Sequence, residues 1–233
     1  MIQIENKYGN NYGNIYGEIK TSIPKIKVIG IGGGGNNAVR QMVEDQVKDV
    51  EFYFINTELA MLNKRKMENV LQIGKETTKG LGAGANPDMG EKAAIESKED
   101  IKQLLEGTQL LFLTAGMGGG TGTGAIPVVA EIAQEMGIQT IAIVTKPFLF
   151  EGRLRASRAN AGIEKLKQHV NSLILISNDK LLKLAGSQKM SVINAFKMAD
   201  NVLEQGIKSI TDLITSCRRY QCRFCRYYHY VNI

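Results

Sequence analysis

The sequence predicts an α/β fold: a three-layer, mainly parallel, Rossmann-like sheet that ends in a long central helix. Two observations carry this expectation. Short apolar runs alternate with stretches of helical periodicity from residue 25 to residue 214, the pattern of repeated strand–helix units. Glycine clusters at 30–35 and 116–124 stand between a strand-like run and a helix-like run. In such sheets ligands sit at the carboxyl ends of strands.

The elements follow in order. Residues 1–24 are expected to be a disordered extension, because 8–17 is a run of Tyr, Gly and Asn with too little apolar surface to offset ordering entropy. Residues 25–31 read as a strand, 32–35 as a glycine loop, and 36 to about 46 as a helix. Strands are expected at 50–56 and 70–73, and 86–105 is polar with helical periodicity. The apolar run 110–115 is a buried strand, and 121–136 has apolar residues at helical spacing. A strand at 140–145, a helix at 153–170 and a strand at 173–177 come next. His169 is expected on a helix face, and Lys146 and Pro147 in the loop after the fifth strand. The last helix, 191–214, has more apolar positions than one stripe needs, from Val192 and Ile193 to Ile210 and Leu213. The domain reading is an extension (1–24), a nucleotide-binding domain (25–190), the long helix (191–214) and an aberrant tail (215–233).

Bulk properties exclude several classes. Of the 233 residues 43% are hydrophobic and 22% charged, ordinary for a globular protein. No apolar stretch reaches the ~18 residues of a membrane helix, and the N-terminus has no signal-peptide core, so the expected location is the cytoplasm. The net charge is +6, but Arg218, Arg219, Arg223 and Arg226 lie in a tail without acids. Without those four the balance is +2, so no general nucleic-acid surface is expected. Cys217, Cys222 and Cys225 also lie there, which excludes a disulfide framework in the globular part.

The segment 116–124 spells GMGGGTGTG. Glycines let backbone N–H groups approach an anion, threonine hydroxyls add donors, and the helix N-terminus adds partial positive charge, so this is a phosphate cradle. Gly30 to Gly35 satisfies G-x-G-x-x-G, which alone allows a dinucleotide-binding oxidoreductase. That site wants an acid at the end of the second strand; here the strand ends in Asn56-Thr57, with Glu58 beyond. No G-x-x-x-x-G-K-[ST] occurs, which argues against a P-loop NTPase. Gly80 to Pro87, GLGAGANP, is a third glycine loop, or a plain turn before a helix capped near Asn86. A non-enzymatic interaction module on the same scaffold is the other alternative.

GIGGGGNNAV, FINT, GLGAGANP, TAGMGGGTGTGA, TKPF-x-FEGR, SNDKLL and ADNVL occur in that order over residues 25–214. In this the chain resembles the FtsZ cell-division GTPases of the tubulin/FtsZ superfamily. The resemblance implies that Gly33, Gly34, Gly35, Asn36 and Asn37 meet phosphates and nucleoside, and that Asn56 lies near the ribose or metal. It implies Ala83, Gly84 and Ala85 at the γ-phosphate. Gly118, Gly119, Gly120, Thr121, Gly122 and Thr123 would cradle the α- and β-phosphates. Glu151 and Arg155 would hold the sugar, or form an i,i+4 ion pair, or both. Asn178 and Asp200 would face guanine, with Phe196 stacked on it. A carboxylate can accept from guanine's ring N–H and exocyclic amine together, which adenine does not offer. The bland reading of Asp200 is a solvated helix residue. The resemblance further implies GTP and GDP as ligands with Mg²⁺, hydrolysis in trans, a head-to-tail homopolymer, other division proteins as partners, a midcell location, and no insertion into the membrane.

The tail departs from this pattern. Where the family has a catalytic loop with acids and then a second α/β domain, residues 215–233 hold arginine, cysteine and tyrosine. The expectation is that no catalytic acids and no second domain are present. Cys217, Cys222, Cys225 and His229 could bind zinc. The favoured expectation is a frameshift: one permitted codon choice for 217–230, read one base later, gives Ala-Gly-Asp-Ile-Asn-Val-Asp-Phe-Ala-Asp-Ile-Ile-Thr, which contains the family's acidic loop.

Overall fold

The structure is a computed structural model that describes residues 25–47, 50–63, 69–184 and 191–216. The extension 1–24 and the tail 217–233, with its cysteines and His229, lie outside the described residues. In chain order the described elements are β1 (Ile26–Ile31), α1 (Gly32–Glu44), β2 (Glu51–Asn56), α2 (Leu59–Asn63), β3 (Val70–Gln72), α3 (Lys75–Thr78), α4 (Pro87–Glu96) and α5 (Lys98–Leu105). Then come β4 (Leu110–Gly116), α6 (Thr121–Glu135), β5 (Gln139–Lys146), a short 3₁₀ turn (Leu149–Glu151), α7 (Arg153–Lys167), β6 (Ser172–Ser177), α8 (Asn178–Leu184) and α9 (Val192–Ser216).

The six strands form one sheet in the order β3-β2-β1-β4-β5-β6, and every pairing is parallel. The central strands β1 and β4 are apolar and buried along almost their whole length, as expected when helices cover both faces. Alternation along β1 divides the core. Ile29 and Ile31 join α4, α5, α6 and α7 on one face. Ile26 and Val28 meet Ala38, Val39 and Met42 of α1 and Leu203 and Ile207 of α9 on the other. Lys27 is 6% exposed, and its Nζ donates to the carbonyls of Leu104 (2.6 Å) and Glu106 (3.2 Å), closing the C-terminal end of α5.

Several expectations are corrected. The glycine run 32–35 is no loop: it is the first turn of α1, which glycine's poor helix propensity concealed. The helical stretch 86–105 divides at Ser97, whose Oγ accepts from Gly74 N at 3.0 Å and ties the break to the β3–α3 turn. The helix at 153–170 ends at Lys167, so His169 lies beyond it, bonded through Nδ1 to Gln134 at 2.9 Å. The short elements α2, α3 and α8 span 5, 4 and 7 residues, too short to show a period. On α9 the buried row is Ala195, Ala199, Leu203, Ile207 and Thr211, while Val192 and Ile193 are exposed. None of the described helices is long and apolar enough to cross a membrane.

Candidate functional site

Strand order reverses direction between β1 and β4, because the chain runs outward from β1 to β3 and returns to β4 on β1's other side. Such a switch point leaves a crevice at the carboxyl ends of the two strands. Here it becomes a cavity of about 560 Å³. Gly33, Gly34 and Asn37 line it from α1, and Gly119, Gly120, Thr121 and Gly122 from the β4–α6 junction. Neither α1 nor α6 has a side-chain cap at its N-terminus. Two helix ends with uncapped first-turn N–H groups therefore open on one cavity, which suits an anion.

Four of the residues expected in the site are not among those that line it. Gly35 sits where α1 crosses β4, and a Cβ there would collide with the Thr114 carbonyl oxygen. Asn36 is 2% exposed, and its Oδ1 is buried without a partner. Gly118 and Thr123 brace the β4–α6 junction: Gly118 N donates to Thr123 Oγ1 at 2.7 Å, and Thr123 is buried. Gly118 has φ +103°, and a Cβ on it would lie 2.9 Å from the Arg155 carbonyl oxygen.

On the β2–β3 side the lining comes from Asn56, Glu58, Met61 and the segment Leu81 to Ala85. Asn56 Oδ1 accepts from the N–H groups of Thr57 (2.9 Å) and Glu58 (3.3 Å), shaping the turn after β2. The third glycine loop follows α3 and leads into α4. Asn86 caps α4 behind it by accepting from Asp88 N at 3.0 Å, with Pro87 in the first turn. Both readings of this segment hold in part: it is a capped helix entry, and Ala83, Gly84 and Ala85 also line the cavity.

On the β5–β6 side stand Glu151, Arg155, Asn178, Phe196 and Asp200. Glu151 uses both oxygens: Oε1 accepts from Phe148 N at 2.8 Å and Oε2 from Arg155 Nη1 at 2.6 Å. The ion pair is real and shapes the loop after β5. Phe196 packs edge-on to Phe148, centroids 5.2 Å apart, and Phe148 stacks on Phe150 at 4.8 Å. Asn178 starts α8, and its Oδ1 is buried without a partner. Asp200 is not a solvated helix residue: burial pushes its pKa up from 3.8 to about 6, an effect Arg40 opposes.

The cavity also takes Glu58, Met61, Leu81, Gly82, Gly116, Met117, Thr145, Pro147 and Ala199, which sequence reasoning did not assign. All but Met61 lie within or next to a quoted motif, so proximity was the available signal. Among the described residues no group of three or more His, Cys, Asp and Glu could hold a metal ion.

The tubulin/FtsZ family, GTPase domain, matches residues 25–186. Among solved structures, the chain is similar to an empty FtsZ dimer from M. jannaschii, at 43% identity and TM-score 0.80, covering 84% of this chain and 57% of that one. It is similar to the W319Y FtsZ from M. jannaschii at 44% identity and TM-score 0.78, covering 82% of this chain and 57% of that one. GDP-bound CetZ1 from Haloferax volcanii shares the fold, at 22% identity and TM-score 0.70, over 82% of this chain and 60% of that one. The chain thus spans a little over half the length of the FtsZ structures it matches. The order of the motifs, the all-parallel sheet with its switch-point cavity and the family match agree, and the chain belongs to the tubulin/FtsZ family, in its GTPase domain.

Proposed function

We propose that this chain binds GTP and GDP in the switch-point cavity, as the nucleotide-holding part of an FtsZ-like, filament-forming cell-division GTPase. The observation that carries the reading is the pair of uncapped helix ends, α1 and α6, facing one cavity. At the β6 end of that cavity, the unpartnered Asn178 Oδ1 and the Asp200 carboxylate suit a guanine edge. Phosphates lie on the backbone N–H groups of Gly33, Gly34 and Gly119 to Gly122. Glu151 and Arg155 flank the sugar, and Phe196 offers a ring face to the base.

Mg²⁺ fits as a partner of the phosphates rather than of a protein cage. It takes most of its ligands from phosphate oxygens and water, with Asn56 and Thr121 at the cavity wall, and when bound it offsets phosphate charge. Three carboxylates line the cavity, Glu58, Glu151 and Asp200. The catalytic acids of the family follow the long helix, where residues 213–233 carry no Asp or Glu. In this reading the chain holds GTP, a subunit bearing the acidic loop activates water against it, and assembly is head to tail in the cytoplasm at the division site. The frameshift reading of 217–233 goes with it.

The test is the nucleotide carried by the purified protein. After denaturation, chromatography is expected to release guanine nucleotide near one per chain; release of adenine or nicotinamide nucleotides instead overturns the assignment.

A further inference from the structure

One charged hydrogen bond ties the third glycine loop to α7. Arg158 Nη1 donates to the Ala85 carbonyl oxygen at 2.7 Å. Ala85 and Gly84 line the cavity and both are left-handed, at φ 58° and 55°. Alanine adopts that conformation at a cost of roughly 1–2 kcal/mol, so the loop needs an outside hold to keep it. Farther along α7, Lys165 Nζ meets Glu91 Oε2 on α4 at 2.7 Å. One helix thus fastens both the loop and the helix it leads into, and Arg158 grips backbone that forms the cavity wall.

Topology says which part of a ligand this wall meets. Asn178 follows β6 at one edge of the sheet, and the third loop comes after β3 at the other edge. The two open helix ends follow β1 and β4 between them. A nucleotide with its base at Asn178 and Asp200 lays its first phosphates on the helix ends. Its last phosphate then points to residues 83–85.

We propose that Arg158 is a positioning residue that presets the third loop for the terminal phosphate, and so sets the preference for nucleoside triphosphate over diphosphate. The proposal rests on the nucleotide reading of the cavity. The bond runs to a carbonyl from a cation, so it survives solvent exposure better than a neutral pair. A diphosphate ends at the helix N-termini and does not depend on it.

The experiment compares the 233-residue protein with R158A and R158K. GDP and GTPγS affinities are measured by calorimetry with magnesium present, and amide hydrogen exchange over residues 82–86 is measured without nucleotide. R158A is expected to weaken GTPγS about fivefold or more, the scale of one hydrogen bond, with GDP altered by less than about twofold. R158K, which can still reach one carbonyl, is expected to recover most of the loss, and exchange over 82–86 is expected to rise in R158A. Equal losses for both nucleotides, no loss for GTPγS, or unchanged exchange overturns the proposal. A wild-type protein that binds neither nucleotide overturns the reading of the cavity, while the exchange result still decides whether Arg158 holds the loop.

Discussion

The hydroxyls of Thr57 and Thr121 lie 2.7 Å apart, joining the turn after β2 to the first residue of α6. Thr57 is fully buried, and its carbonyl accepts from Thr78 Oγ1 at 3.2 Å. Three threonines therefore link the α3 segment, the β2 turn and the start of α6. If Thr121 donates its proton to a phosphate oxygen, its own oxygen must accept from Thr57. Thr57 then sets the Thr121 rotor before a ligand arrives.

This arrangement makes a substitution prediction. Thr57→Val keeps the shape and removes the donor, and is expected to weaken GDP binding by about 1 kcal/mol. Thr57→Ser is expected to bind as the parent does. Calorimetric titration of both variants checks this, and weakening by Ser with none by Val would show that the methyl group, not the hydroxyl, matters.

Close packing of α4 on α6 gives a second prediction. A Cβ at Gly124 would collide with the Pro87 carbonyl oxygen, whereas one at Gly119 meets nothing within 4 Å. Gly124→Ala is expected to destabilise the fold by about 2 kcal/mol or more through overpacking. Gly119→Ala is expected to leave the urea midpoint almost unmoved yet weaken nucleotide binding, since it places a methyl group on the cavity wall. The reverse pattern would contradict the assignment of roles.

The Asp200 carboxyl gives the third. Its folded pKa is raised from 3.8 to about 6. Its contribution to stability is therefore fully present below about 3.8 and is lost as pH rises through about 6. Guanine needs the ionised form as acceptor, so ligand affinity runs the opposite way. GDP is expected to bind about tenfold more weakly at pH 5 than at pH 7, and Asp200→Asn is expected to flatten that profile. A profile unchanged by Asp200→Asn would place the titration elsewhere.

The fourth prediction concerns turnover. The 233-residue chain alone is expected to hydrolyse GTP at least ~10²-fold more slowly than a mixture with a relative that carries the acidic loop, the usual worth of a positioned acid or base. A recoded chain with the reading frame shifted after residue 216 and the family's downstream domain restored is expected to regain activity. Steady-state phosphate release measures both. Full turnover by the unaltered chain alone would remove the case for a missing acidic loop.

Sequence legibility followed the physics of each element. The buried strands β1, β4 and β5 and the helix α6 were readable because burial on both faces leaves long apolar runs. The start of α1 was not, because four glycines look like a loop in one dimension. Asp200 and Asn178 could be placed only through motif resemblance; no local pattern marks a carboxylate on a long helix as facing a cavity. Arg158 could not be found at all. Its partner is a backbone carbonyl 73 residues away, and a carbonyl has no signature in the sequence.

In the proposed reading, Asp200 and Asn178 recognise guanine in this cavity. Competitive titration of the nucleotide-free chain with GDP and ADP tests it most directly. A site whose buried polar groups are paired only by the right base is expected to prefer GDP by roughly 10²-fold or more, and Asp200→Ala is expected to remove most of that preference while changing ADP affinity little. Equal affinity for GDP and ADP in the unaltered chain would contradict the account.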